Sequence, residues 1–209
     1  GLSDKPEVIR SIIMATALHN IEGDQRLSDK DGVGGIDASA AIAIVERGDW
    51  SDEFISSSAD FPKTRYVYAY AGEQVRIVIN WLSNPNASYS TDMLPADLDL
   101  TVYRADGSTF VQGSYSFGNN FEIVVFVAPA TETYVFKVTA FNYSGSGTWL
   151  GTAWWRGKYR IAPDTGNFSS DAPPLGHHLS VYPASWGQGD YWRSFAIRSN
   201  SSDHDLELY

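Results

Sequence analysis

The sequence predicts a mainly β protein, with a β-sandwich or jelly roll over about residues 49–157 that follows two short helices. Three observations support this fold class. Apolar and polar residues alternate over several short segments, turn signals such as Asp106-Gly107 separate these segments, and aromatic residues make up 14% of the chain. Alternation places every second side chain on one face of a strand, and large rings pack well across such a face.

The strand alternation is clearest in three segments. The residues expected to face the core occupy every second position: Val75, Ile77, Ile79, Trp81, Leu98, Leu100, Val102, Tyr134, Phe136 and Val138. Gln74, Arg76 and Asn80 alternate with the first four of these and are expected on the opposite face. Each segment is therefore predicted to be a strand with one face on the core and the other toward solvent.

The N-terminal region has a helical period instead. Pro6 is typical of a first helical turn, and Ser3 or Asp4 is expected to cap the helix that follows. A second, alanine-rich helix is predicted from about Asp37 to Arg47, closed by Gly48. Two short helices cannot enclose a core of their own, so this region is expected to be part of a larger domain.

Composition excludes several classes of function. The net charge of −10 argues against a nucleic-acid partner, because phosphate binding needs clustered basic residues. The absence of cysteine excludes disulfides and thiolate metal sites. No apolar run reaches the length of a membrane span. The N-terminus lacks a signal-sequence pattern, so the signal of a secreted protein is expected upstream of Gly1.

The helical region carries a resemblance to a known family. The segment PEVIRSIIMATA, residues 6–17, resembles a helix near the end of the catalytic domain of subtilisin-like serine proteases. Gly32-Val33-Gly34-Gly35-Ile36-Asp37-Ala38 is similar to that family's G-x-G-x-[VI]-[DN]-A pattern, which precedes the last catalytic-domain helix. Here that helix corresponds to residues 39–45.

The β region resembles the jelly-roll domain that follows the catalytic domain in some bacterial subtilases. The shared features are an apolar strand ending in Trp81, the segment Asp97-Leu98-Asp99-Leu100, an Asp-Gly turn, the segment Asn119-Asn120-Phe121-Glu122, and Ala128-Pro129 before a further strand. The two resemblances together cover about the first 155 residues.

The resemblance implies a domain organisation and a function. Residues 1–48 correspond to the end of a catalytic domain, residues 49–157 to the jelly roll, and residues 158–209 to a β-rich extension without assignment. The parent would be a secreted serine endopeptidase acting on protein or peptide substrates. The sandwich would stabilise the upstream catalytic domain of the same polypeptide or aid substrate binding.

No catalytic residue can be assigned to this chain. In subtilases the nucleophilic serine lies in a G-T-S-x-A-x-P motif upstream of the first helix, and no such motif occurs here. The chain alone is therefore not expected to cleave peptide bonds. With the rest of the catalytic domain missing, the helical segment is expected to leave an exposed apolar patch, or to form a dimer that hides it.

Asp97 and Asp99 form the most suggestive polar pair. Two positions apart on a strand, they project from the same face, and two neighbouring carboxylates invite a cation. Calcium takes 6–8 oxygen ligands, and the family pattern places Asn119, Asn120 and Glu122 near these aspartates. A structural calcium site is one interpretation; a solvated outer face is the other.

Two further clusters have simpler interpretations. Asp24, Asp29 and Asp31 lack the spacing of an EF-hand, so a solvated loop is favoured over a calcium loop. His177 and His178 have no third ligand nearby in sequence, so a surface pair is favoured over a metal site.

A non-enzymatic module that binds carbohydrate or protein outside the cell is the alternative function. Five tryptophans are the candidates for a sugar-stacking platform: Trp149, Trp154, Trp155, Trp186 and Trp192. Tryptophans more often fill a core or an interface, and that interpretation is favoured here.

Overall fold

The computed structural model describes residues 2–18, 27, 32–88, 90, 92–144 and 147–158. The helices of this part are α1 (Pro6–Thr16) and α2 (Ala38–Arg47), with a short 3-10 helix at Ser58–Asp60. The strands are β1 (Trp50–Ile55), β2 (Lys63–Ala69), β3 (Glu73–Trp81), β4 (Asn84–Pro85), β5 (Asp92–Met93), β6 (Ala96–Tyr103), β7 (Phe110–Ser114), β8 (Phe121–Val127), β9 (Glu132–Tyr143) and β10 (Thr148–Lys158). The predicted extension after Lys158, the loop aspartates and the histidine pair lie outside the described residues.

The eight longer strands form two four-stranded antiparallel sheets. Sheet one has the order β1-β10-β3-β8 and sheet two the order β2-β9-β6-β7, while β4 and β5 pair with each other. Counted along the chain, these eight strands are arranged as 1-8-3-6 and 2-7-4-5. This order is that of a jelly roll, so the predicted fold class is confirmed.

The main core lies between the two sheets. All ten positions predicted to face inward are buried, with no more than 2% of any side chain exposed. Two large side chains keep their polar groups satisfied there: the indole N–H of Trp81 donates to the carbonyl of Ala96 at 3.0 Å, and the Tyr134 hydroxyl donates to the carbonyl of Ala130 at 2.7 Å. The rings therefore contribute apolar area without leaving a buried donor unpaired.

Helix α1 covers the outer face of sheet one and forms a second core there. Val8 and Ile12 are almost fully buried, and their cluster includes Val78 of β3 and Trp155 of β10. The expectation of an exposed apolar patch on the first helix is therefore wrong. The chain's own sheet supplies the cover, so the reason given for a dimer no longer holds for α1.

The same packing changes the environment of the polar face of β3. Gln74, Arg76 and Asn80 were expected toward solvent, yet all are buried. Asn80 donates to Ser11 of α1, and Arg76 donates to the carbonyl of Ala17 just after that helix. Strand alternation was read correctly, but the face assigned to solvent belongs to an interface.

Helix α2 packs on α1 and has the predicted ends. The Asp37 side chain accepts a hydrogen bond from the Ala40 amide at 2.8 Å, and Gly48 closes the helix with φ of 70°. The predicted cap of α1 is wrong: Lys5 occupies that position, without a side-chain capping bond, and Pro6 begins the helix.

Candidate functional site

The predicted acidic pair lies on β6, where the strand extends past its neighbour β7. Leu98 and Leu100 are in the core, so Asp97 and Asp99 project from the outer face of sheet two. Strand β7 pairs with β6 only from Leu100 to Tyr103. Both aspartates are half-buried and lie beyond the end of this pairing.

Glu122 approaches this region from the other sheet. It is 1% exposed, because even-numbered residues of β8 point between the sheets. Its carboxylate accepts hydrogen bonds from the hydroxyls of Ser114 and Ser116, and from the Ser116 amide at 2.8 Å. The buried charge is therefore satisfied by the β7–β8 connection.

The three carboxylates are electrostatic neighbours. Burial raises the pKa of the Asp99 carboxyl above its ordinary value, and the negative charges of Asp97 and Glu122 raise this pKa further. Asp97 and Asp99 thus share the outer face of sheet two, while Glu122 lies between the sheets and acts on Asp99 only through its charge.

The two asparagines predicted as calcium ligands have other surroundings. The Asn120 amide nitrogen donates to the carbonyl of Trp81 at 3.0 Å, and its oxygen accepts from Arg10 of α1 at 3.1 Å. Asn119 is exposed in the loop before β8. Asn120 therefore ties helix α1 to the end of β3.

Calcium binding stays a prediction. Within the described part of the chain, no group of three or more Asp, Glu, His or Cys side chains is arranged to hold a metal ion. Glu122 and Asn120 already have hydrogen-bond partners, so Asp97 and Asp99 are the carboxylates that would have to supply the site, helped by neighbouring carbonyls.

A groove of about 230 Å³ opens beside Asp97. Its lining includes Leu94, Asp97, Phe117, Phe141 and Asn142. The two phenylalanine side chains are 89% and 74% exposed, which is high for rings without a polar atom. This groove combines a carboxylate with two accessible aromatic rings.

A β-bulge places Phe141 at the groove. The pairing of β6 with β9 passes from Asp97 opposite Asn142 to Leu98 opposite Ala140, so Phe141 is the additional residue. Bulges re-aim side chains, and here the ring lies outside the core. Neither phenylalanine was among the site residues predicted from the sequence. Two features of the sequence could have indicated them: Phe117 stands in a Gly- and Asn-rich loop, and the apolar–polar alternation ends after Ala140, just before Phe141.

The outer face of sheet two carries further aromatic residues. Tyr66, Val135, Tyr103 and Phe110 occupy one row across its four strands. Tyr66 is 63% and Phe110 55% exposed. The ammonium of Lys137 lies 4.7 Å from the centre of the Tyr103 ring, so this face already holds one cation over an aromatic ring.

The tryptophans do not form the platform considered above. Trp155 is buried beneath α1, and Trp154 packs on the main core with its ring 5.5 Å from that of Phe136. These two confirm the core interpretation. Trp149 is 45% exposed near the start of β10, opposite Phe54 of β1. The remaining two, Trp186 and Trp192, lie outside the described residues.

Comparisons with known proteins find only a weak structural similarity for this chain. No protein-family model and no curated protein matches it. Among solved structures it is similar to the pre-peptidase C-terminal domain of a collagenase from Bacillus anthracis, with a TM-score of 0.37 and 9% identity. That alignment covers 51% of this chain and 87% of the other. Similarity at this level supports no assignment of function. No helix in the described residues is long and apolar enough to cross a membrane.

Proposed function

We propose that the chain is the C-terminal part of a secreted subtilisin-like serine endopeptidase, in which the jelly roll stabilises the end of the catalytic domain. The sequence resemblance at residues 6–17 and 32–38 is the basis for the protease assignment. The observation that carries the role of the jelly roll is the packing of α1 on sheet one, because α1 is the segment that resembles the catalytic domain.

Specific hydrogen bonds accompany this packing. Ser11 of α1 donates to the carbonyl of Gly151 at 2.9 Å and accepts from the Asn80 amide at 2.8 Å. The Arg76 guanidinium donates to the carbonyls of Ala17 at 2.8 Å and Val33 at 3.2 Å. A cation at the C-terminal end of a helix also interacts favourably with the helix dipole. Sheet one is thus bonded to the chain just after α1, at Ala17, and again before α2, at Val33.

The outer side of α2 is where the rest of a catalytic domain would pack. Ile36, Ile42 and Val45 are exposed there, at 71%, 59% and 40%. Ile36 lies within the segment that matches the subtilase pattern, and Ile42 and Val45 lie on the helix that follows it. A neighbouring domain of the same polypeptide would cover these apolar side chains.

The test is to read the coding sequence directly upstream of Gly1. The proposal expects an open frame that contains a G-T-S-x-A-x-P motif before the α1 segment, with the triad aspartate and histidine further upstream. A start codon and a signal peptide joined directly to this chain would rule the protease assignment out.

A second candidate is an extracellular module that binds carbohydrate or protein without catalysis. The aromatic row on the outer face of sheet two favours it, because flat rings at the surface of a sandwich can stack on sugars. Isothermal calorimetry with soluble neutral polysaccharides tests it. Binding that Tyr66→Ala weakens would support carbohydrate recognition, and the absence of heat with every polysaccharide would count against it.

A further inference from the structure

We propose that the groove beside Asp97 binds a lysine or arginine side chain of a polypeptide, with the cation on Asp97 and the stem between Phe117 and Phe141. This inference stands apart from the protease proposal, because it concerns binding and needs no active site.

The size of the groove favours one side chain over a larger ligand. Pockets that hold drug-sized ligands measure about 300–1,000 Å³. At about 230 Å³ this groove is smaller. A run of sugar rings would need the long aromatic row instead, whereas one long side chain fits a groove that is short and open at the surface.

Charge complementarity favours a cation. The described lining of the groove contains no basic residue, and Asp97 is its charged member. Within the described part of the chain, the Asp97 carboxylate makes no hydrogen bond or ion pair. The carboxylates of Asp99 and Glu122 add to the negative potential, as the raised pKa of Asp99 indicates. A cation placed here would pair with the Asp97 carboxylate, which lines the groove.

The two rings favour a cation with an apolar stem. Phe117 and Phe141 have no hydroxyl, so they offer a bound group only apolar contact and the negative face of the ring. Lysine and arginine combine an aliphatic stem with a charge, which matches rings beside a carboxylate. The molecule uses the same contact elsewhere, where the Arg10 guanidinium lies 5.3 Å from the centre of the Phe121 ring.

Fluorescence anisotropy with two labelled peptides tests the proposal. One peptide carries a central arginine among glycines and serines, and the other carries citrulline, which has the same shape without the charge. The titrations contain EDTA, so that calcium cannot occupy the carboxylates. We expect the arginine peptide to bind about two- to fivefold more tightly, since a carboxylate–cation pair at a partly exposed site is worth up to about fivefold in affinity.

Variants locate the binding. Asp97→Asn should weaken the arginine peptide about fivefold, and Phe117→Ala about two- to fivefold. Phe117 is 89% exposed, so its loss should leave folding intact. Glu46→Gln is the matched control, because Glu46 is an exposed acid on α2 and its loss changes the net charge equally.

Three results would overturn the proposal. One is equal affinity for arginine and citrulline peptides. Another is unchanged affinity in both Asp97→Asn and Phe117→Ala. The third is an equal loss in Glu46→Gln, which would reduce the binding to general attraction by an acidic protein.

Discussion

At Gly151 the backbone of helix α1 approaches sheet one very closely. A Cβ at this position would overlap the backbone of Glu7 and Val8, so the first turn of α1 lies directly on β10. The overlapping atoms belong to a backbone and not to the end of a flexible side chain. Glycine is therefore required here by the contact itself.

Gly151→Ala should destabilise the protein by about 2–3 kcal/mol, because backbone on both sides must move to admit a methyl group. Urea unfolding followed by tryptophan fluorescence measures this. Gly35→Ala is the control, since the nearest atom to its Cβ would be the Leu18 carbonyl oxygen at an ordinary 3.8 Å. Equal stability of the two variants would mean that α1 does not lie on β10 as described.

Asp99 gives a prediction for pH dependence. Its pKa is raised in the folded protein, so the folded state holds this proton more tightly than the unfolded state does. The protonated Asp99 carboxyl therefore contributes to the free energy of unfolding at low pH, and this contribution is lost as the pH rises above about 4. Asp99→Asn removes the charge, and in EDTA at pH 7 it should raise the unfolding midpoint by about 1–2 °C.

Thermal unfolding of Asp99→Asn and the wild type over pH 3 to 7 checks this prediction. The advantage of the variant should shrink toward zero as the pH falls below about 4, where Asp99 is protonated in both states. A variant that is less stable at pH 7 in EDTA would show that the charged carboxylate is favourable, contrary to the prediction.

Among the elements, α1 has a role that its own sequence did not reveal. It was expected to be a remnant with an uncovered face, but it packs on the outer face of sheet one and helps to bury the polar positions of β3. Arg76 is central to this arrangement, because it reaches from β3 to the carbonyl of Ala17 just beyond the helix. Without that donor, carbonyls at the helix end would be buried and unpaired.

Arg76→Met keeps an unbranched apolar stem and removes the guanidinium donors. It should cost about 2–4 kcal/mol and increase hydrogen exchange at the α1 amides more than at the β3 amides. Arg47→Met is the control, because Arg47 is exposed and pairs at the surface with Asp49. Uniform loss of protection throughout the sandwich would argue against a local anchor.

Helix ends and turns, which depend on a few adjacent residues, could be predicted from the sequence. Contacts between distant segments could not. Asp37 and Gly48 bound α2 because capping depends on a few adjacent residues. Asp106-Gly107 formed its predicted turn for the same reason, with Gly107 at φ of 68°. The burial of Arg76 depends instead on a helix about sixty positions away, and alternation alone cannot distinguish a solvated face from one covered by a helix.

The candidate site was likewise predictable where it depends on neighbouring residues and not where it depends on distant contacts. Period-two spacing placed Asp97 and Asp99 on one face, and the resemblance brought in Glu122, which lies between the sheets and raises the pKa of Asp99 through its charge. Asn120 was nominated with them but binds Arg10 and Trp81. The groove itself was missed, because it depends on a bulge at Phe141 that interrupts the strand pattern.

At the scale of the whole molecule, the two sheets have different roles. Sheet one is covered by helices and, in the proposal above, joins the jelly roll to a catalytic domain. Sheet two exposes its outer face, with the aromatic row and the acidic groove. One sandwich would thus connect to its own polypeptide on one side and to a partner on the other.

Calcium would act on the stability of the whole chain. If Asp97 and Asp99 bind calcium, 1 mM Ca²⁺ should raise the unfolding midpoint by several degrees relative to EDTA, since ligand at a hundredfold excess over Kd contributes about 2.7 kcal/mol. Asp99→Asn should abolish this increase, and Mg²⁺ should not reproduce it. Identical midpoints in Ca²⁺ and EDTA would exclude a stabilising site.

The central claim is that the jelly roll stabilises a catalytic domain by packing on α1. The most direct measurement is heat inactivation of peptidase activity in the complete gene product, with and without Gly151→Ala. The account predicts hydrolysis of casein that a serine-protease inhibitor blocks, and faster loss of this activity in Gly151→Ala than in the wild type or Gly35→Ala. A complete product without peptidase activity, or equal inactivation rates in all three proteins, would contradict it.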